Sequence, residues 1–182
     1  SCPSPGVIAV FFEDQHYKNH EAYINALADA MKVEYDAIHK AGAIVQIDCP
    51  DLAMGRHSKF KNLSLPEFRE IMKLHVKALN HALRDIPAEC IRMHLCWGNY
   101  EGPHDYDIPV HEIISIILSA KPAAIAFEAS NPRHAHEWKV FEKIKLPKDK
   151  VLVPGVIDST SNFVEHPEVV AERLIKYSTV IP

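Results

Sequence analysis

Apolar residues along this chain fall into short solid runs that alternate with longer stretches of helical periodicity. The first run, Val7-Ile8-Ala9-Val10-Phe11-Phe12, predicts a strand. From about His20 to Lys40, the residues Tyr23, Leu27, Ala30, Met31 and Ile38 recur near helical spacing, and Gly42 supplies a stop. Residues 43–48 read as a second strand. Ser64-Leu65-Pro66-Glu67 has the capping-box pattern, and it opens a helix whose buried stripe is Phe68, Ile71, Met72, Val76, Leu79 and Leu83. A third strand is expected over residues 91–97, then a loop rich in Gly, Pro and Asp and a helix around 110–120. A fourth strand covers residues 123–128, with a helix near 134–144. A fifth covers 151–157, and Pro167, placed where a first helical turn tolerates proline, begins a helix running to about Tyr177.

Five βα units in succession predict a parallel α/β architecture, either an open doubly wound sheet or a barrel. A nucleotide-binding open sheet wants Gly-x-Gly-x-x-Gly after an early strand. No such fingerprint occurs, and the chain has only 6 glycines, which favours a (β/α)8 TIM barrel. A complete barrel needs eight units and roughly 250 residues. The expectation is therefore one partial TIM-barrel domain over residues 1–182, a piece of a larger barrel. Strand edges left open in such a piece are expected to favour self-association.

Composition narrows the partners. The net charge is -4 and no Lys/Arg cluster stands out, so neither nucleic acid nor an anionic membrane surface is expected. No apolar run is long enough to span a bilayer, and the first residues lack the charged and apolar regions of a signal peptide. The 4 cysteines, Cys2, Cys49, Cys90 and Cys96, form no Cys-x-x-Cys pair and no disulfide framework, which points to a reducing cytoplasm. Most of the 12 histidines, among them His20, His39, His81 and His136, read as solvated helix residues.

The polar residues that close the apolar strands are Asp48, His94, Cys96, Glu128 and Asp158. In a parallel barrel these strand ends share one face, where active sites are built. His94 and Cys96 stand two apart, so both point to the same side of a strand. An imidazole and a thiolate so placed suit Zn²⁺; the bland alternative is a packed cysteine beside a satisfied histidine. Glu128 is costly to bury unless paired, hydrogen-bonded or metal-bound, and an ion pair with Arg133 is its plain alternative. Together the three predict a metal site. Asp48 and Asp158 either cap the loops that follow their strands or bind substrate, and Cys49 reads as a packed loop cysteine. Trp97, Asn99 and Tyr100 are expected to wall the pocket, while His104 and Asp105 offer acid–base groups or merely solvated ones.

Several blocks resemble the C-terminal catalytic domain of cobalamin-independent methionine synthases. They are His94-Leu95-Cys96-Trp97-Gly98-Asn99, Phe127-Glu128-Ala129-Ser130-Asn131-Pro132-Arg133-His134, Pro154-Gly155-Val156-Ile157-Asp158 and Val45-Gln46-Ile47-Asp48-Cys49-Pro50. Their order and spacing match across essentially the whole chain, most closely in the single-barrel branch that includes proteins similar to epoxyalkane:coenzyme M transferase. The resemblance implies that the chain covers the third to seventh barrel strands, without the first two and the last. It implies zinc held by His94, Cys96 and Glu128, with a further Cys on a final strand that has no counterpart here. It implies that Asp48 contacts the amino group of homocysteine. Thr160 stands where methionine synthases carry a histidine that helps protonate the leaving folate nitrogen, and Cys49 replaces the family's Glu, so the methyl donor stays open.

The chemistry is coherent without the family, since a thiolate is the nucleophile and coordination by Zn²⁺ deprotonates a thiol. The expected function is zinc-dependent methyl or alkyl transfer to a thiol, homocysteine being the family default. Alkylation of another thiol and a metal-binding barrel remnant without turnover are the alternatives. A decarboxylase on a related barrel is argued against by His94 beside Cys96, because that chemistry needs no metal.

Overall fold

Ser4 and Pro5 turn the first apolar run into a helix, correcting the strand expected over residues 7–12. In the computed structural model, which describes residues 1–100 and 102–181, the Ser4 hydroxyl accepts a hydrogen bond from the Val7 N–H at 2.9 Å. Pro5 occupies the first helical turn, so a helix, α1, runs over Pro5–Phe11. A solid apolar run has no period of its own and suits a buried strand and a buried helix alike. Here the cap decides. The first strand, β1, is instead Cys2–Pro3, paired with Ile47 and Asp48.

The remaining elements follow the expected pattern with one exception. Helix α2 spans His20–Lys40 and starts at Asn19, whose side chain accepts from the Ala22 N–H. It ends at Gly42, which takes the left-handed φ of 83° that glycine adopts without strain. Strand β2 (Val45–Asp48) leads through two 3-10 turns, Pro50–Leu52 and Met54–His57, to helix α3 (Leu65–Ala82). The capping box at Ser64 and Glu67 is fully formed. Replacing Ser64 by alanine is expected to cost about 1 kcal/mol, read as a fall in the chemical-denaturation midpoint with an unchanged slope. Strand β3 (Ile91–Leu95), helix α4 (Val110–Ile117), strand β4 (Ala124–Glu128), strand β5 (Val151–Gly155) and helix α5 (Pro167–Ser178) complete the order.

The exception is the helix expected near 134–144, where turns lead into a 3-10 segment, Glu137–Glu142. The Asn131 carboxamide oxygen accepts from the N–H groups of Arg133 and His134 at 3.0 and 3.1 Å, which folds the chain into a tight turn. The side chains that would have lined a helix are drawn elsewhere. His134 Nδ1 donates to Glu137 Oε2 at 2.7 Å, and Glu137 Oε1 accepts the N–H of Val110 at 2.6 Å.

The five strands form one parallel sheet in the order β1-β2-β3-β4-β5, the arrangement of consecutive βα units in a (β/α)8 barrel. Alternation along the strands sorts the side chains. Val45, Ile47, Ile91, Met93, Leu95, Ile125 and Phe127 are buried and join residues of α2, α3 and α4 in one apolar core. The intervening positions, among them Asp48, His94, Ala126 and Glu128, face the other way and stay half-buried. That second face would line a barrel interior. No described helix is long and apolar enough to cross a membrane.

His20 corrects the reading of a solvated helix histidine. Its Nε2 lies 2.9 Å from His75 Nε2, His75 Nδ1 donates to Asp51 Oδ2 at 2.8 Å, and the Ser4 hydroxyl donates to Asp51 Oδ1 at 2.7 Å. Burial, then the neighbouring His75 and Lys59, push the His20 pKa down from 6.5 to about 4, with Asp14 opposing weakly. A histidine depressed in the folded state stabilises fully above its unfolded pKa, and that contribution is lost as pH falls towards the folded one. We therefore expect stability to decline between pH 6.5 and about 4. His20→Gln should flatten that decline by on the order of 1–2 kcal/mol, allowing for solvent screening of a part-buried ring, as urea unfolding at a series of pH values would reveal.

Candidate active site

Period-two alternation and strand register bring the strand-closing residues together. Asp48 pairs with His94 across β2 and β3, and His94 with Ala126 across β3 and β4. Cys96 and Glu128 each lie one step past the next register pair, Leu95 with Phe127. His94, Cys96, Asn99, Glu128, Arg133 and Ser159 all line a cavity of about 340 Å3 at the C-terminal ends of β3, β4 and β5. The small side chain of Ala126 and the absent one of Gly155, which pairs with Glu128, leave room for it.

The Asp48–His94 contact was not foreseen. His94 Nδ1 donates to Asp48 Oδ1 at 2.6 Å, with both side chains about two-fifths exposed. Fixing the proton on Nδ1 leaves the Nε2 lone pair of a neutral imidazole free, which is how a carboxylate orients a metal-ligating histidine. Asp48 Oδ2 accepts no hydrogen bond among the described residues. Glu128 is held by Oε1, which accepts from the Ser130 N–H at 2.9 Å, the Ser130 hydroxyl at 3.1 Å and the Asn131 N–H at 3.2 Å. The ion pair with Arg133, offered above as its plain alternative, does not form. Arg133 lies instead 3.7 Å from Asp107. Burial pushes the Cys96 thiol pKa up; the Gly98 N–H opposes this, while Asp48 and Glu128 add to it. Cys49 is wholly buried and its thiol is pushed well up by burial, as a packed loop cysteine should be.

The donor set of His94 Nε2, Cys96 Sγ and Glu128 Oε2 has the nitrogen, sulfur and oxygen chemistry that zinc takes. The spacing is looser than a closed ligand set. Among the described residues, the group whose donor atoms all lie within 4.8 Å of one another is His57, His104 and Asp107.

The other expected site residues divide. Asn99 reaches the cavity and accepts from the Ser159 hydroxyl at 3.5 Å. Trp97 borders the cavity, but its indole is turned into the core, 1% exposed, donating to the Ile108 carbonyl at 2.7 Å and stacked on His134 with ring centroids 4.1 Å apart. Asp158 caps its own loop, accepting from the Thr160 N–H at 2.9 Å and the Thr160 hydroxyl at 2.6 Å. The His104 ring is fully buried, not solvated.

Residues 7–182 match the family described as the cobalamin-independent synthase catalytic domain. Methionine synthases of Saccharolobus islandicus strains L.S.2.15 and M.14.25 are each 30% identical, over 96% of this chain and 46% of their own length. A B12-independent methionine synthase from Shewanella sp. W3-18-1, solved in complex with selenomethionine, superposes with a TM-score of 0.76 at 21% identity, covering 98% of this chain and 50% of that one. The chain thus spans about half the length of the relatives it matches.

Proposed function

Because the chain belongs to the family of cobalamin-independent synthase catalytic domains, we propose that it takes part in transferring a methyl or other alkyl group to a thiol, with zinc held by His94, Cys96 and Glu128. The observation that carries this reading is the shared cavity at the strand ends, rimmed by these three side chains, with Asp48 orienting His94. Zinc bound there would supply a Lewis acid that keeps a substrate thiol deprotonated at neutral pH.

The chain's own residues do the positioning. Asp48 presents Nε2 of His94 to the cavity and keeps Oδ2 for the ammonium group of homocysteine. Ser130 and Asn131 fix the Glu128 carboxylate, leaving Oε2 for the ion. Asn99, with the backbone of Trp97, walls the side where the alkyl donor lies. Asp158, by ordering the loop of Ser159 and Thr160, shapes the adjoining rim, where Ser159 meets Asn99. The thiolate sulfur then forms its bond to the donor carbon as that carbon's bond to the leaving group breaks. A reducing cytoplasm would keep Cys96 available as a ligand.

A second reading, alkylation of a thiol other than homocysteine, is favoured by Thr160. Its hydroxyl is spent on Asp158 and supplies no acid where methionine synthases are expected to have one. Asp48→Asn separates the two. Homocysteine turnover should fall by about 10- to 150-fold, the value of a charge-assisted contact, while a thiol without an ammonium group is spared. Both rates would be measured at matched zinc content. An equal loss with both thiols would remove the support for homocysteine and confine Asp48 to holding His94.

A further inference from the structure

Three side chains that the proposed reaction does not use converge in the loops above β2 and β3. His57 closes the 3-10 turn Met54–His57, and His104 and Asp107 lie in the loop that precedes α4. His57 Nδ1 is 3.1 Å and His104 Nδ1 is 3.0 Å from the same atom, Asp107 Oδ1. We infer that His57, His104 and Asp107 form a second metal site, for a divalent first-row transition ion such as Zn²⁺, separate from the one at His94, Cys96 and Glu128.

The protons argue for a cation at this point. His104 Nε2–H donates to the Tyr100 carbonyl at 3.2 Å. In a neutral imidazole that leaves the Nδ1 lone pair facing the Asp107 carboxylate, 3.0 and 3.1 Å from its two oxygens. Two acceptors so close repel unless a proton or a metal ion lies between them, and His57 Nδ1, facing the same oxygen, lets one metal ion serve both rings. A ring N–H given to a backbone carbonyl is also the usual outer support of a histidine that binds metal. The carboxylate is supported in the same way. Asp107 Oδ2 accepts from His134 Nε2 at 3.2 Å and lies 3.7 Å from Arg133 Nε, while His134 is tied to Glu137.

Spacing and shielding agree. Tetrahedral zinc with legs of about 2.0–2.1 Å sets its ligand atoms about 3.3 Å apart. The two His–Asp separations here are 3.1 and 3.0 Å. The side chains of His57, His104 and Asp107 are 9%, 0% and 8% exposed, so an ion would be largely withdrawn from water. Asp107 and Glu137 are already offset by Arg133 and by His134, which both carboxylates flank. The ion is therefore held by two imidazoles and one oxygen rather than by surplus negative charge, which selects a transition metal over Ca²⁺ or Mg²⁺. Bound there, it clips the turn after β2 to the loop carrying Gly98 and Asn99, which line the main cavity.

Calorimetric titration of Zn²⁺ into Cys96→Ser, and into Cys96→Ser combined with His57→Gln, tests this. The glutamine amide keeps an N–H for Asp107, so a purely hydrogen-bonded hub would survive the change. We expect Cys96→Ser to bind a full equivalent of Zn²⁺. Adding His57→Gln should weaken that binding by at least about 10- to 100-fold, and His104→Gln in its place should do the same. Cobalt in Cys96→Ser should show ligand-field absorption without a thiolate charge-transfer band. That band, in the unsubstituted chain, reports the Cys96 site by itself, so failure of one site is told from failure of the other. No zinc uptake by Cys96→Ser, or unchanged affinity on adding His57→Gln, overturns the inference.

Discussion

On the proposed function, Cys96→Ser should strip sulfur from the coordination of zinc and stop thiol alkylation. A serine hydroxyl stays protonated where a cysteine ligand binds as thiolate, so zinc affinity at the His94, Cys96 and Glu128 site should fall by upwards of ~100-fold, beyond what losing an outer partner costs. Turnover should drop to the uncatalysed background. The fold should survive, because Cys96 sits at the rim of the cavity beyond the end of β3 and is only partly buried. X-ray absorption at the zinc edge gives the direct reading, since the sulfur shell should vanish from Cys96→Ser while melting stays near that of the unsubstituted chain. Retained sulfur scattering together with full turnover would mean that the thiolate is not a ligand and that the proposed chemistry is wrong.

A methyl group added at Gly6 should be the most damaging small change in the fold. Gly6 lies buried in the first turn of α1, and a β-carbon there would fall within the van der Waals radii of Asp51 Oδ2 and His75 Nδ1. Those atoms belong to the buried chain of hydrogen bonds from Ser4 through Asp51 and His75 to His20, so neither can move without breaking it. Overpacking alone costs about 1–3 kcal/mol, and breaking a buried hydrogen bond to a carboxylate costs about 1.5–3 kcal/mol more. Gly6→Ala is accordingly expected to lose about 3–5 kcal/mol in denaturant unfolding. Gly42→Ala is the control. It meets no atom within 4 Å and pays only for its left-handed φ of +83°, about 1 kcal/mol. Equal losses at the two positions would show that crowding against Asp51 and His75 is not the cause.

Much of the fold could be read from local chemistry, because local chemistry sets it. The capping box at Ser64 fixed the start of α3, and β2 to β5 begin within two residues of the expected positions. The reading failed where apolar content stood in for geometry. Val7–Phe11 is as apolar as a strand, and the decisive signal was the Ser4-Pro5 pair just before it. Residues 134–144 have helical composition, but Asn131, His134 and Glu137 make better bonds outside a helix. For the site, period-two alternation was enough to put His94 and Cys96 on one face. The same alternation sends Trp97 with Met93 and Leu95 into the core, a consequence that was there to be drawn. The Asp48–His94 pair depends on the register between strands, and the meeting of His57 with Asp107 joins residues 50 positions apart. No spacing rule along a single chain reports either contact.

The order β1-β2-β3-β4-β5 bears on how the molecule comes into being. Among the described residues, each strand from β2 to β5 lies beside the one made just before it, so none of these four must wait for a later partner to be synthesised. Each new βα unit finds its docking edge already in place, and the entropy of closing one modest loop is the only search it faces. A ribosome that has released the chain through Leu95 has released β1, β2 and β3 complete, with Asp48 and His94 already in register. Assembly from the N-terminus, the direction in which domains generally fold during synthesis, is thus written into the topology itself. The cavity is a late product of that sequence, because its far wall arrives only with β5.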